Sequence, residues 1–270
     1  MIAAPELTAA TAQAWLASGL PAMLVRVGAT RGSVPREEGV TMLVSADAVA
    51  GTIGGGHLEW EAIARARAAL AQGHTAPDEW RVSLGPTLGQ CCGGALSLHF
   101  EPLSAQSLAA WAAPPPRFRL QLYGAGHVGR AIAQACTTLP CTVRWLDERD
   151  DEFPAATLPA HIHTVAAQPL EDEVADAQPG DFHLILTHSH ALDLALTHAV
   201  LQRGDAGWLG LIGSATKRAR FEHRLAERGH PPAALAQMVC PIGLAGISGK
   251  EPGVIAAAVV AQMLLHSHPY

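Results

Sequence analysis

Residues 119–129 read Arg119-Leu120-Gln121-Leu122-Tyr123-Gly124-Ala125-Gly126-His127-Val128-Gly129. A short apolar strand, Arg119–Tyr123, runs into three spaced glycines and then into the helix-like stretch Val128–Cys136. This is the setting of a dinucleotide fingerprint. The first glycine permits the tight turn, the second lets a pyrophosphate approach, and the third lets helix and strand pack closely. The next strand, Cys141–Leu146, ends at Asp147. An acid about 20 residues after the glycines is placed to bind a ribose 2′-hydroxyl. Gly124, Gly126, His127, Gly129 and Asp147 are therefore candidate nucleotide contacts. The same glycines also serve the turn with nothing bound, because a fold does not fix a ligand.

Working outward, strands are expected at His161–Val165, Phe182–Leu186 and Trp208–Ile212. Helical stretches at Ala191–Gln202, Thr216–Arg228 and Val254–Leu265 separate or follow them. Alternation of this kind predicts a Rossmann-like, doubly wound parallel sheet over residues 118–270. Pro114-Pro115-Pro116 can continue neither a helix nor a central strand, so residues 114–117 are expected to be a linker. Residues 1–113 read as a separate, mixed α/β domain. A helix is expected near Thr8–Ala17, strands at Ala22–Val27, Val40–Val44, Trp80–Leu84 and Ala95–Phe100, and a second helix over His57–Ala71. The fold class is α/β throughout.

The chain has 270 residues, 49% hydrophobic and 16% charged, enough for a sizeable core and against global disorder. A net charge of -6 without a basic run argues against nucleic acid as a partner. Five cysteines without regular spacing are not a disulfide framework, and free thiols beside glycines fit a reducing cytoplasm. The N-terminus lacks the pattern of a secretory signal. Val254–Leu265 falls short of the ~20 apolar residues that span a bilayer, so no membrane association is expected.

Two further glycine-rich stretches lie in the N-terminal half. Gly54-Gly55-Gly56 precedes a helix and reads either as an anion-binding nest or as a tight structural turn. It lacks the Lys-Ser/Thr of a nucleotide-hydrolysing loop. Arg31 and Arg36, in the polar stretch 29–36, could pair with a phosphate or simply face solvent. Gly89-Gln90-Cys91-Cys92-Gly93-Gly94 presents adjacent thiols in an open backbone. Thiolates hold soft metals and sulfur, whereas inert buried thiols are the alternative. Cys136 and Cys141 lie in apolar segments and read as core, while Cys240 is open to either reading. His188 and His190 follow a strand at the sheet's carboxyl edge, where a polar loop is favoured over metal or phosphate ligation. No zinc-type spacing, nucleophile elbow or paired-carboxylate arrangement occurs, so no catalytic residue is assigned.

Together these motifs resemble the XdhC/CoxI family. Gly32-Ser33-Val34-Pro35-Arg36, residues 51–59 and residues 89–94 are similar to its N-terminal domain. Residues 122–129, Gly210-Leu211-Ile212-Gly213-Ser214 with Lys217-Arg218, and Cys240-Pro241-Ile242-Gly243-Leu244 are similar to its Rossmann domain. The resemblance implies a chaperone rather than an enzyme. Its cargo would be the molybdenum cofactor, a molybdopterin with a phosphate and a dithiolene. It would protect that cofactor while a cysteine desulfurase adds the terminal sulfido ligand, receive it from molybdenum cofactor biosynthesis proteins, and insert it into apo xanthine dehydrogenase. Cys91 and Cys92 are then candidate molybdenum or sulfur contacts. Gly54, Gly55, Gly56, Arg31 and Arg36 are candidates for the phosphate. A homodimer is compatible with this role as the commonest assembly. The competing reading is an NAD(P)-dependent oxidoreductase built on Gly124, Gly126, Gly129 and Asp147.

Overall fold

The computed structural model describes residues 7–73, 76–84, 93–111 and 115–267. The chain divides into two compact units, Met1–Pro114 and Pro115–Tyr270.

The first unit is an antiparallel sheet with helices on both faces. Its elements are α1 (Ala9–Ala17), β1 (Ala22–Arg31), β2 (Thr41–Ser45), β3 (Val49–Gly51), α2 (Gly56–Ala71), β4 (Asp78–Ser83), β5 (Ala95–Pro102) and α3 (Ala105–Ala110). The strand order is β3-β2-β1-β5-β4. Alternation along β1 splits its side chains between two cores. Met23, Val25 and Val27 pack with Leu58, Ala62 and Ala66 of α2. Ala22 and Leu24 pack with Ala12 of α1 and Trp111 after α3. β1 runs past Val27, where the sequence predicted its end, because its pairing with β5 shifts register between Val27 and Thr30. A bulge of this kind absorbs Gly28 and carries the strand on to Arg31, which therefore ends a strand instead of lying in a loop.

The second unit is the predicted doubly wound sheet. It contains β6 (Arg119–Tyr123), α4 (His127–Cys136), β7 (Thr142–Asp147), β8 (Ile162–Ala166), β9 (Phe182–Ile185), α5 (His190–Arg203), β10 (Trp208–Leu211), α6 (Ala215–Glu227), α7 (Pro232–Leu235), β11 (Met238–Val239) and α8 (Pro252–His266). All of its strand pairs are parallel, in the order β11-β10-β9-β6-β7-β8. Renumbered within the unit this is the Rossmann order, with its switch point between β6 and β9. α4 and α8 cover one face through Ile132, Ala133, Val259 and Met263. α5 and α6 cover the other through Leu196, Val200, Phe221 and Leu225. Among the described residues no helix is long and apolar enough to cross a membrane.

Under that second face Tyr123 Oη and His183 Nδ1 lie 3.1 Å apart, both buried. Burial pushes the His183 imidazole down to about 4 and the Tyr123 phenol up. An unfolded histidine titrates near 6.5, so between those values the unfolded chain binds a proton that the folded chain does not. Stability of the second unit should therefore fall as pH drops from about 6.5 toward 4, by about 3 kcal/mol for this group at the lower end. Denaturant unfolding across that range should show the loss in the wild type and a smaller one in His183→Gln.

Candidate functional site

Three loops of the first unit meet at the carboxyl end of β1. Gly94, the residue before β5, donates its N–H to Ser33 O at 3.1 Å. A Cβ at Gly94 would lie 2.4 Å from Ser33 O and 2.5 Å from Arg31 O, so the two backbones touch. On the other side Gly54 adopts φ 119, and a Cβ there would lie 2.5 Å from Pro35 Cβ and 3.3 Å from Arg36 Cγ. The 31–36 segment is thus held between two glycines, and Arg36 is brought to the Gly54 turn. Arg31 and Arg36 are exposed. Neither guanidinium has a hydrogen-bond or ion-pair partner among the described residues. Cys91 and Cys92 lie outside the described residues; in sequence Cys92 is two residues before Gly94.

The glycine turn already holds an anion of its own. Glu59 Oε2 accepts from Thr52 Oγ1 at 2.5 Å, Ile53 N at 2.9 Å and Gly55 N at 3.0 Å. Gly54 N donates to Thr52 Oγ1 at 3.1 Å. Of the donors expected to cradle an external phosphate, those of Gly54 and Gly55 are therefore committed internally. The reason lies in spacing: Glu59 sits in the first turn of α2 and folds back over the loop that precedes it. The start of α2 has no side-chain cap at Gly55, so the first N–H groups of the helix are left for another acceptor. His57 stacks on Trp60 with ring centroids 5.7 Å apart and planes at 17°, and its Nε2 lies 3.0 Å from Glu61 Oε1. The sequence alone does not single out Glu59 and Trp60. An acid three residues after the last glycine of the triplet is the available signal for the first.

In the second unit Gly124 (φ 118) turns the chain after β6; a Cβ there would meet Leu186 O at 2.5 Å. A Cβ at Gly129 would meet Gly124 O at 2.0 Å, which is the close packing expected of the third glycine. Gly126 has nothing within 4 Å of its missing Cβ, leaving room where a pyrophosphate would approach. His127 opens α4 and is exposed.

Asp147 is engaged within the protein. Its Oδ2 accepts from Ala125 N at 2.7 Å and Arg149 Nη2 at 3.1 Å, and its Oδ1 from Arg149 N at 3.0 Å and Nε at 2.9 Å. Burial would raise this carboxyl, but the Arg149 and Ala125 hydrogen bonds outweigh it and hold the group below its ordinary range. Only 2% exposed, Asp147 braces the glycine turn through Ala125 N, and the Arg149 guanidinium binds both of its carboxylate oxygens.

His188 and His190 are both exposed. Among the described residues no group of three or more His, Cys, Asp and Glu side chains could hold a metal ion. Cys136, Cys141 and Cys240 are buried. Burial pushes the Cys240 thiol up, which makes it a poor nucleophile. The sheet edge beside it carries an ion pair that the sequence reading missed. Lys217 Nζ donates to Asp193 Oδ2 at 2.5 Å and to Ile212 O at 2.8 Å, while Thr187 N and Oγ1 donate to Asp193 Oδ1 at 3.0 and 2.7 Å. It ties the ends of β9 and β10 to α5 and α6. A lone acid in the apolar run 191–201 was its signal.

Residues 120–263 match the family described as the XdhC Rossmann domain, and residues 15–83 match the XdhC and CoxI family. The chain belongs to that family. It is 31% identical over 255 residues to the uncharacterized protein YqeB of Escherichia coli K12, covering 90% of this chain and 43% of YqeB. The chain thus spans less than half the length of that relative. Its fold is similar to that of a Bacillus halodurans protein described as a xanthine dehydrogenase, with a TM-score of 0.68, 20% identity and 97% of each chain covered.

Glu59→Gln should destabilise the first unit by about 1–3 kcal/mol, since a neutral amide oxygen in the place of Oε2 turns three charge-assisted hydrogen bonds into weaker ones. Denaturant unfolding compared with Glu61→Gln, whose carboxylate meets only His57 among the described residues, checks this.

Proposed function

We propose that this protein is an accessory chaperone that holds the molybdenum cofactor as cargo and delivers it to apo xanthine dehydrogenase. The observation that carries this assignment is the meeting of the 31–36, 51–56 and 93–94 segments in one unit. It places the Arg36 stem against the Gly54 turn, with Arg31 ending the adjoining strand, and sets the backbone that follows Cys91-Cys92 against the same loop. Family membership supports the cargo, and the chemistry of the donors suits it. Guanidinium groups pair with a phosphate. A thiolate suits molybdenum and its sulfido ligand. Because Glu59 has taken two N–H donors of the turn, Arg31, Arg36 and the open start of α2 are the groups that receive the phosphate. Cys91 and Cys92 take the soft end. A cysteine desulfurase supplies the sulfur and biosynthesis proteins supply the cofactor. The chain itself performs no bond chemistry in this scheme.

A second reading has its own support. The strand order and the open space at Gly126 suit a nucleotide in the second unit, and an NAD(P)-dependent oxidoreductase would use it. Against the simple NAD form of that reading, Asp147 is consumed by Ala125 and Arg149.

Purified protein incubated anaerobically with molybdenum cofactor should retain it through gel filtration and confer xanthine oxidation on the apoenzyme. Cys91→Ser/Cys92→Ser should lose that retention while keeping the wild-type unfolding midpoint; undiminished retention would remove the thiols from the scheme. Binding of nicotinamide nucleotide without cofactor retention, abolished by Gly126→Ala, would put the second reading first.

A further inference from the structure

The first turns of α2 carry a feature that the phosphate and thiol contacts leave unused. Trp60 is 66% exposed. Trp111, Trp145 and Trp208 are buried, and Trp15 and Trp80 are half-buried. An indole left in water forgoes a large burial gain, so a solitary exposed one is informative. His57 lies nearly parallel to it, and His57 is in turn anchored on Glu61. The pair is a preassembled aromatic surface, fixed on a helix rather than on a loop. It stands one turn along α2 from the glycine turn, since four residues from Gly56 to Trp60 advance about 6 Å along the axis.

We propose that Trp60, backed by His57, is the stacking platform for the planar heterocycle of the phosphate-bearing cargo. This rests on the chaperone assignment above and adds to it the residue that recognises the ring. Three observations favour a small heterocycle over a protein partner. Among the described residues of this unit Leu20 is the other large hydrophobic side chain left exposed, and it lies outside α2, so the described part of this helix offers Trp60 no second large exposed apolar side chain of the kind that builds a protein interface. The neighbouring ring offers a flat, polarised surface suited to face-to-face contact. The turn at the base of the same helix touches Arg36, a cation for the phosphate that such a ring carries. Ring stacking and phosphate pairing at separate parts of one ligand would fix its orientation.

The test is anaerobic titration of the full-length protein with purified molybdenum cofactor, read by tryptophan fluorescence and by retention on gel filtration. Wild type should bind with partial quenching. Trp60→Ala should bind about 5- to 100-fold more weakly, the range that loss of one aromatic stack gives. Trp60→Phe should restore binding to within about threefold of wild type but lose the Trp60 share of the quench. Thermal unfolding of all three should coincide, because an exposed ring contributes little to the core. Wild-type binding with Trp60→Ala unchanged overturns the platform and leaves the chaperone assignment standing. Unchanged binding with lost delivery to apo xanthine dehydrogenase overturns it in favour of a protein contact. Failure of the wild type to bind overturns the assignment and the platform together.

Discussion

A single carboxylate oxygen organises the first unit. Glu59 Oε2 gathers a hydroxyl and two backbone N–H groups from the loop that leads into its own helix. Three donors converging on one charged acceptor hold the loop far more firmly than glycines could hold themselves, since glycine has the most backbone freedom to lose. Everything placed on that loop inherits its position. Gly54 is pressed under Pro35 and Arg36, and the 31–36 segment behind it is pressed in turn against Gly94. The start of α2 faces outward with its N–H groups unspent. Trp60 and His57 stand on the helix that Glu59 anchors.

The second unit solves a similar problem in the same way. Asp147 reaches from the end of β7 into the turn after β6 and binds Ala125 N, while Arg149 closes over it. In both units an internal acid stands where a glycine-rich turn would otherwise await an external one. The consequence for ligand binding differs. In the first unit exposed arginines and an uncapped helix remain beside the filled turn. In the second Asp147 is part of the scaffold, bound by Ala125 N and by the Arg149 guanidinium.

Much of this was legible in the sequence. The β6–turn–α4–β7 run is announced by glycine spacing and a change of hydrophobic period, and its elements fall within a residue or two of expectation. The short elements β3, α3, α7 and β11 show no clear period or apolar run of their own in the sequence. The extension of β1 to Arg31 was hidden because Gly28 reads as a break, whereas the register shift makes it a bulge. At the sites, residue types were readable and their commitments were not. Asp147 was legible as an acid at the right spacing, but its reach to Ala125 N, in the turn after the neighbouring strand, is a tertiary fact. Nothing local shows that Glu59 folds back over the loop before it, and nothing local marks Trp60 as exposed, since an indole on a helix is ordinarily core.

The central claim is that cargo is received by the first unit at its converging loops. Hydrogen–deuterium exchange with and without bound molybdenum cofactor tests it most directly. The account predicts new protection over residues 31–36, 54–60 and 93–94, with residues 124–129 unchanged. Protection confined to 124–129, with the loops of the first unit unaffected, would contradict it.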